Sequence, residues 1–213
     1  MTYPEPQPFP RIWRTVFWLI FASILIYCTG NAHGAEPPPW CVQIDVKDGY
    51  GSSHGSGSLI SPSLVLTNWH VVKDRQSDSV NVWFPDGSNV SGKVVKTDKT
   101  NDIAAIRIQS SLRPYVTFSD IDLKIGATLT LHGYAGKHNY RSATGVVGQF
   151  ESPTRAGPNN FLRLDGVEAR GGDSGGPLTC DDGTLGGVLF GSSGGRTSGV
   201  RISVVRKFVA SIK

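Results

Sequence analysis

The sequence predicts an all-β protein built as two six-stranded antiparallel barrels followed by one C-terminal α-helix. Three features of the chain point there. Glycine occurs 26 times in 213 residues, roughly twice its ordinary share, and so supplies the tight-turn positions that many short strands need. Short apolar segments alternate throughout with clusters of Gly, Pro, Asn, Asp and Ser, which act as breakers. The segments fall into two groups of six separated by a proline-bearing connector, and closing each group into a barrel removes the exposed sheet edges that invite aggregation.

The first 35 residues read differently from the rest. "MTYPEPQPFPRIWR" carries Arg11 and Arg14, "TVFWLIFASILIYC" is uncharged and apolar, and "TGNAHGA" is small and polar. A basic n-region, an apolar h-region of about 13 residues and a cleavage region at Gly30 and Ala32, or at Ala35, make a signal peptide. The alternative is a signal anchor through residues 15–28, although roughly 20 apolar residues are wanted to span a bilayer. Tyr27 before Cys28 is too bulky for lipoprotein processing. The expected location is therefore secreted or periplasmic, or membrane-anchored if the segment stays.

Residues 36–213 are the right size for one domain. Removing residues 1–35 takes away Arg11, Arg14 and Glu5, so the net charge of +4 falls to +3. With no basic run, nucleic acid is excluded as a partner. Cys41 and Cys180 are the cysteines left. In an exported chain they suggest one disulfide, stabilising by about 2 to 4 kcal/mol; two buried free thiols are the other reading. No histidine stands at ligand spacing from either cysteine, and no metal or organic cofactor is expected.

In chain order, the first barrel covers about residues 41–111. Its strand candidates are "CVQID", "GSGSLI", "SLVLTNW", "SVNVWF", "NVSGKVVK" and "DIAAIRIQ", with "PDG" at residues 85–87 as a turn between the fourth and fifth. Residues 112–124 form the linker. The second barrel, about 125–202, takes "ATLTLHGY", "SATGVVGQF", "NFLRLDG", "GPLTC", "GGVLFG" and "GVRISV". Residues 203–213 place Val204, Val205, Phe208, Val209 and Ile212 at spacings of three and four, an apolar stripe for packing a helix on the second barrel.

The segment "RGGDSGGPL", residues 170–178, sets Ser174 between glycine pairs and directly after an acid. A serine hydroxyl is a weak nucleophile until a base takes its proton, and the base needs a third group to orient it. Of the five histidines, His33 lies in the leader, and His54, His132 and His138 sit in polar or turn-rich surroundings. His70 ends "LVLTNWH", where a buried strand delivers it to a barrel edge; taken alone it would more often be structural. The third group should be a buried carboxylate. Asp102 opens the apolar strand "NDIAAIRI", where an unpaired charge is costly, while Asp74, Asp78, Asp86 and Asp98 lie on loop-like stretches open to water.

"TNWH", "NDIA" and "GDSGG", in that order, resemble the trypsin-like serine protease family from about Trp40 to the C-terminal helix. Intervals of 32 residues from His70 to Asp102 and 72 onward to Ser174 are similar to compact bacterial members and to the protease domains of Deg-type periplasmic proteins, here expected without a PDZ domain. The resemblance implies a serine endopeptidase acting on polypeptides through an acyl-enzyme. Ser174 is then the nucleophile, His70 the base, Asp102 its orienting acid, and the Gly172 and Ser174 N–H groups the oxyanion donors.

The resemblance also places Glu168 at the floor of the specificity pocket, with Arg201, from "SGVRI", in its back wall and Phe190 and Gly191 beside its mouth. This favours basic over apolar residues before the cut, unless Glu168 and Arg201 neutralise each other. Cys180 matches a position that the family often bridges, but Cys41 is not the usual partner. No Ile-Val-Gly-Gly terminus occurs in residues 36–213, so Asp173 needs a different partner and no zymogen cut inside the domain is expected. Two other readings use the same residues: a catalytically silent binding module, and an esterase, whose usual GxSxG elbow is replaced here by "GDSGG".

Overall fold

Among the described residues, period-two alternation resolves into twelve strands. The computed structural model describes residues 36–48, 51–73, 80–152 and 158–212. The signal segment expected at residues 1–35 lies outside the described residues. Among those described, no helix is long and apolar enough to cross a membrane.

The first barrel comprises β1 (Cys41–Asp48), β2 (Gly51–Ser61), β3 (Leu64–Thr67), β4 (Val80–Trp83), β5 (Asn89–Asp98) and β6 (Ile103–Ile108), with a single helical turn, α1 (Trp69–Val72), after β3. The second comprises β7 (Thr128–Tyr134), β8 (Tyr140–Glu151), β9 (Phe161–Asp165), β10 (Pro177–Thr179), β11 (Leu185–Ser193) and β12 (Arg196–Arg201), and α2 (Ile202–Ala210) follows. Both barrels are closed. The strand order β1-β2-β3-β6-β5-β4 of the first is repeated as β7-β8-β9-β12-β11-β10 in the second, and every pairing is antiparallel.

The apolar pattern explains why there are two barrels and a seam. Along β3 and β6 no polar face appears, because alternate residues enter different cores. Val65, Ala104, Ile106 and Ile108 fill the first barrel. Leu64, Leu66, Ile103 and Ala105 point the other way and pack with Leu185, Val188 and Val200 of the second barrel. Val205 and Phe208 of α2 join this shared layer, so the C-terminal helix covers the seam as well as its own barrel. Leu129, Leu131, Leu162, Leu164, Leu178 and Leu189 fill the second barrel. Each fully buried Leu or Ile contributes roughly 1.5 to 3 kcal/mol.

The connector stitches the halves together by main-chain bonds. Val116 N–H donates to Leu59 O at 2.9 Å, and Leu185 N–H to Thr117 O at 2.8 Å. The "PDG" turn closes with Gly87 N–H on Phe84 O at 3.0 Å, Gly87 taking φ +81°.

Candidate active site

The buried strand β3 ends at Thr67, and Asn68, in extended conformation, starts the turn α1 that carries His70. Asn68 is fully buried, and its Nδ2 donates to Asp102 O at 2.9 Å. Asp102, just before β6, has φ +52°, a region that residues other than glycine seldom occupy. Its own carboxylate helps hold it there. Oδ1 accepts the His70 backbone N–H at 2.8 Å, and Oδ2 faces His70 Nδ1 at 2.7 Å. One buried acid therefore fixes both the main chain and the ring of His70, and each bond offsets part of the cost of burying its charge. Nε2 is the ring nitrogen left out of this grip.

Ser174 lies in the turn between Arg170 and β10. A trans peptide points its C=O and N–H in opposite directions, so a held carbonyl aims the amide of the same plane. Gly171 O accepts Gly136 N–H at 3.2 Å, and Asp173 O accepts Gly176 N–H at 3.0 Å. These two planes carry the Gly172 and Ser174 N–H groups. Neither amide has a protein acceptor among the described residues. The glycines permit the close approach. Gly172 has φ +98°, and a Cβ there would collide with Tyr134 O; Gly175 has φ +85°, and a Cβ would collide with Thr67 Oγ1 and Ser56 O.

Asp173, completely buried, finds its partner within the second barrel. Arg141 Nη1, on β8, donates to Asp173 Oδ2 at 2.5 Å, and the Arg170 backbone N–H reaches the same oxygen at 2.8 Å. Gly133, paired across the hairpin with Arg141, leaves the space: a Cβ on it would come within 2.7 Å of Asp173 Oδ1.

His70, Asp102 and Ser174 line one open cavity of about 700 Å³ together with Ala169, Phe190, Gly191 and Ser198. Phe190 sets its ring edge-on to His70 at 5.8 Å between centroids and to Phe161 at 5.9 Å. Of the other described histidines, His132 and His138 are engaged elsewhere. His132 Nδ1 is 2.8 Å from Tyr140 Oη and Nε2 2.9 Å from Thr179 Oγ1; burial pulls its pKa down to about 4, which keeps the ring neutral. His138 N–H donates to Gln43 Oε1, and His54 is exposed beside Gly172.

The profile of the trypsin-like peptidase domain matches residues 55–188. The chain belongs to this family. Among relatives of this peptidase domain, a probable periplasmic serine endoprotease, DegP-like, of Marinomonas sp. (strain MWYL1) is 32% identical over 183 residues, covering 82% of this chain and 38% of its own. The serine protease Rv3671c of Mycobacterium tuberculosis is 30% identical over 148 residues, 65% of this chain and 36% of its own. The chain thus spans little more than a third of the length of these relatives. The crystal structure of the Rv3671c protease in its active form superposes with a TM-score of 0.73 at 26% identity, covering 84% of this chain and 82% of that one.

The specificity residues expected from the resemblance divide. Phe190 and Gly191 line the peptidase domain's cavity; Glu168 and Arg201 do not. Thr197 Oγ1, on β12, donates to Val167 O at 2.8 Å and accepts Ala169 N–H at 3.0 Å. The main chain on both sides of Glu168 is thereby turned toward β12, and Glu168 is exposed, lining a separate surface cavity of about 490 Å³ with Arg163, Asp165 and Arg196. Arg201 lays its guanidinium over Phe150, 4.1 Å from the ring centroid, and donates to Asn159 O at 3.0 Å. The expected floor carboxylate, and its neutralisation by Arg201, are both corrected.

The expected disulfide is corrected too. Cys41 and Cys180 are free. Cys41 opens β1 opposite Ser58 in the first barrel, where burial, and then the charge of Asp173, push its thiol pKa well up. Cys180 follows β10 against the core of the second barrel.

Four residues that shape the site were not singled out from sequence: Ser56, Asn68, Arg141 and Thr197. Asn68 stands in the quoted "TNWH", and the need for a partner to Asp173 was a signal for some cation. Ser56 and Thr197 carry no local signal, since their bonds are made to distant strands.

Proposed function

We propose that this chain is an exported serine endopeptidase. The observation that carries the reading is the Asp102 carboxylate set on His70 Nδ1 at 2.7 Å, in the cavity that Ser174 also lines. Ser174 Oγ attacks a peptide carbonyl while its proton passes to His70 Nε2. Asp102 stabilises the imidazolium, and the Gly172 and Ser174 N–H groups receive the developing oxyanion. The C–N bond breaks as His70 returns the proton to the leaving amine, which gives an acyl-enzyme. Water then attacks with His70 as base, releasing the acid product and restoring the Ser174 hydroxyl.

A relative named as a probable periplasmic serine endoprotease supports both the activity and export; residues 1–35 are the segment proposed to direct it. On the substrate side, the cavity walls at Ala169, Phe190 and Ser198 fit an uncharged side chain before the cut. Glu168, the expected basis for a basic preference, lines a separate cavity.

Two measurements test this. A peptidyl phosphonate should label Ser174 stoichiometrically in the full-length protein and casein should be hydrolysed, with Ser174→Ala abolishing both; an unlabelled, inactive wild type would sink the proposal. Separately, Glu168→Ala should leave the cleavage profile of a peptide library unchanged. A profile that loses Lys and Arg before the cut in this variant would return Glu168 to the pocket.

A further inference from the structure

We propose that Ser56 is a positioning residue for the oxyanion site, acting through Gly172; this rests on the endopeptidase reading above. Ser56 lies on β2 in the first barrel and is fully buried, whereas everything it holds at its hydroxyl belongs to the second. Its Oγ donates to Gly172 O at 2.7 Å and accepts the Tyr134 N–H at 2.9 Å. A hydroxyl has one proton, an amide N–H can only donate and a carbonyl can only accept, so the direction of both bonds is fixed. The main chain of Ser56 adds two more links: its N–H donates to Ser174 O at 2.7 Å, and its carbonyl accepts Thr67 Oγ1 at 2.7 Å.

These contacts bracket the amide that matters. Gly172 sits between two peptide planes. The plane before it, carrying the Gly172 N–H, is held through Gly171 O by Gly136 N–H. The plane after it is held by the Ser56 hydroxyl. That same hydroxyl grips Tyr134, two residues before Gly136. One side chain from the first barrel therefore fixes Gly172 and the strand end that leads to its second support. Glycine at φ +98° is conformationally free, so its geometry must come from such outside bonds. Ser56 makes none of these bonds to His70 or Asp102, and it does not line the cavity.

Ser56→Ala removes the hydroxyl and leaves Gly172 O and Tyr134 N–H without their buried partner, while the bond from residue 56 N–H to Ser174 O stays available. The expected result with a peptide substrate is a kcat roughly 10- to 100-fold lower, less than the roughly 10²- to 10³-fold loss of a whole oxyanion donor. KM should stay within about twofold, and the pH profile should not move. A peptidyl boronate, which needs the oxyanion donors, should lose affinity by the same factor as kcat falls, while an uncleaved product peptide binds as before. Ser56→Gly should recover part of the loss, because the vacated space has a donor and an acceptor ready for a water; it also serves as the test if the alanine variant does not fold.

A folded Ser56→Ala variant with kcat within twofold of wild type overturns the assignment, as do a wild-type kcat in Ser56→Gly where the alanine variant does not fold, equal losses for boronate and product peptide in either variant, and failure of both variants to fold. A wild type that hydrolyses no peptide would instead take down the endopeptidase reading and this assignment with it.

Discussion

Asp102→Asn should turn over peptide substrates about 10⁴-fold more slowly than the wild type, the size of effect seen when a catalytic triad loses this charge without losing its shape. The reason lies in the two bonds that the carboxylate makes here. Oδ1 accepts the His70 backbone N–H, and Oδ2 faces Nδ1 of the ring. An asparagine has one oxygen and one NH₂ group to share between these positions. The backbone N–H can only donate, so the oxygen must go there, and the NH₂ then faces Nδ1. That nitrogen becomes an acceptor and the ring proton moves to Nε2, the atom that in the proposed mechanism receives the proton of Ser174. The fold has little cause to suffer, because both positions remain bonded. Steady-state kcat measured beside the thermal transition checks this: a kcat within tenfold of wild type would remove Asp102 from the mechanism, and a collapse of the transition would make its role structural.

The barrels were legible because closed antiparallel sheets repeat one simple pattern, alternation followed by a breaker, and because β3 and β6 are apolar on both faces, as strands between two cores must be. Asp102 was legible as an acid opening a buried strand, where it needs a partner, whereas His70, which alone reads more often as structural, was legible through the ordered set "TNWH", "NDIA" and "GDSGG". What stayed hidden depends on strands that meet only after folding. Counting back from Ser174 reaches Glu168, but the direction of that side chain is decided by Thr197, 29 positions further on in the chain. Two cysteines in an exported chain suggest a bond, yet disulfide geometry is demanding, and Cys41 opens β1 of the first barrel whereas Cys180 follows β10 of the second. An arginine in "YRSATG" reads as a solvent-facing residue, because nothing local reveals that Gly133 opposite it leaves room for Asp173.

Arg141→Met should cost about 3 to 5 kcal/mol of stability, the range for breaking one side of a buried ion pair. At roughly 2 to 4 °C per kcal/mol for a domain of this size, the thermal midpoint should drop by roughly 6 to 20 °C. Asp173 is wholly buried and Arg141 nearly so, at 18% side-chain exposure; without the guanidinium, the acid keeps only the Arg170 N–H, and its Oδ1 already has no donor among the described residues. A carboxylate left in that state draws toward water. Since Asp173 stands between Gly172 and Ser174, its movement would carry the proposed oxyanion amides with it, and kcat should fall even where the variant is still folded. Adding Asp173→Asn to Arg141→Met separates charge from packing: an uncharged amide at 173 can still accept the Arg170 N–H, so the double variant should regain much of the lost stability. If it is as unstable as the single variant, the arginine matters for its packing and not as the counter-ion of Asp173. In the favoured case the acid before the nucleophile is neutralised by a residue of the same folded domain, and no newly cut terminus is required to order the site. Activity that appeared only after cleavage within residues 41–213 would contradict that assignment directly.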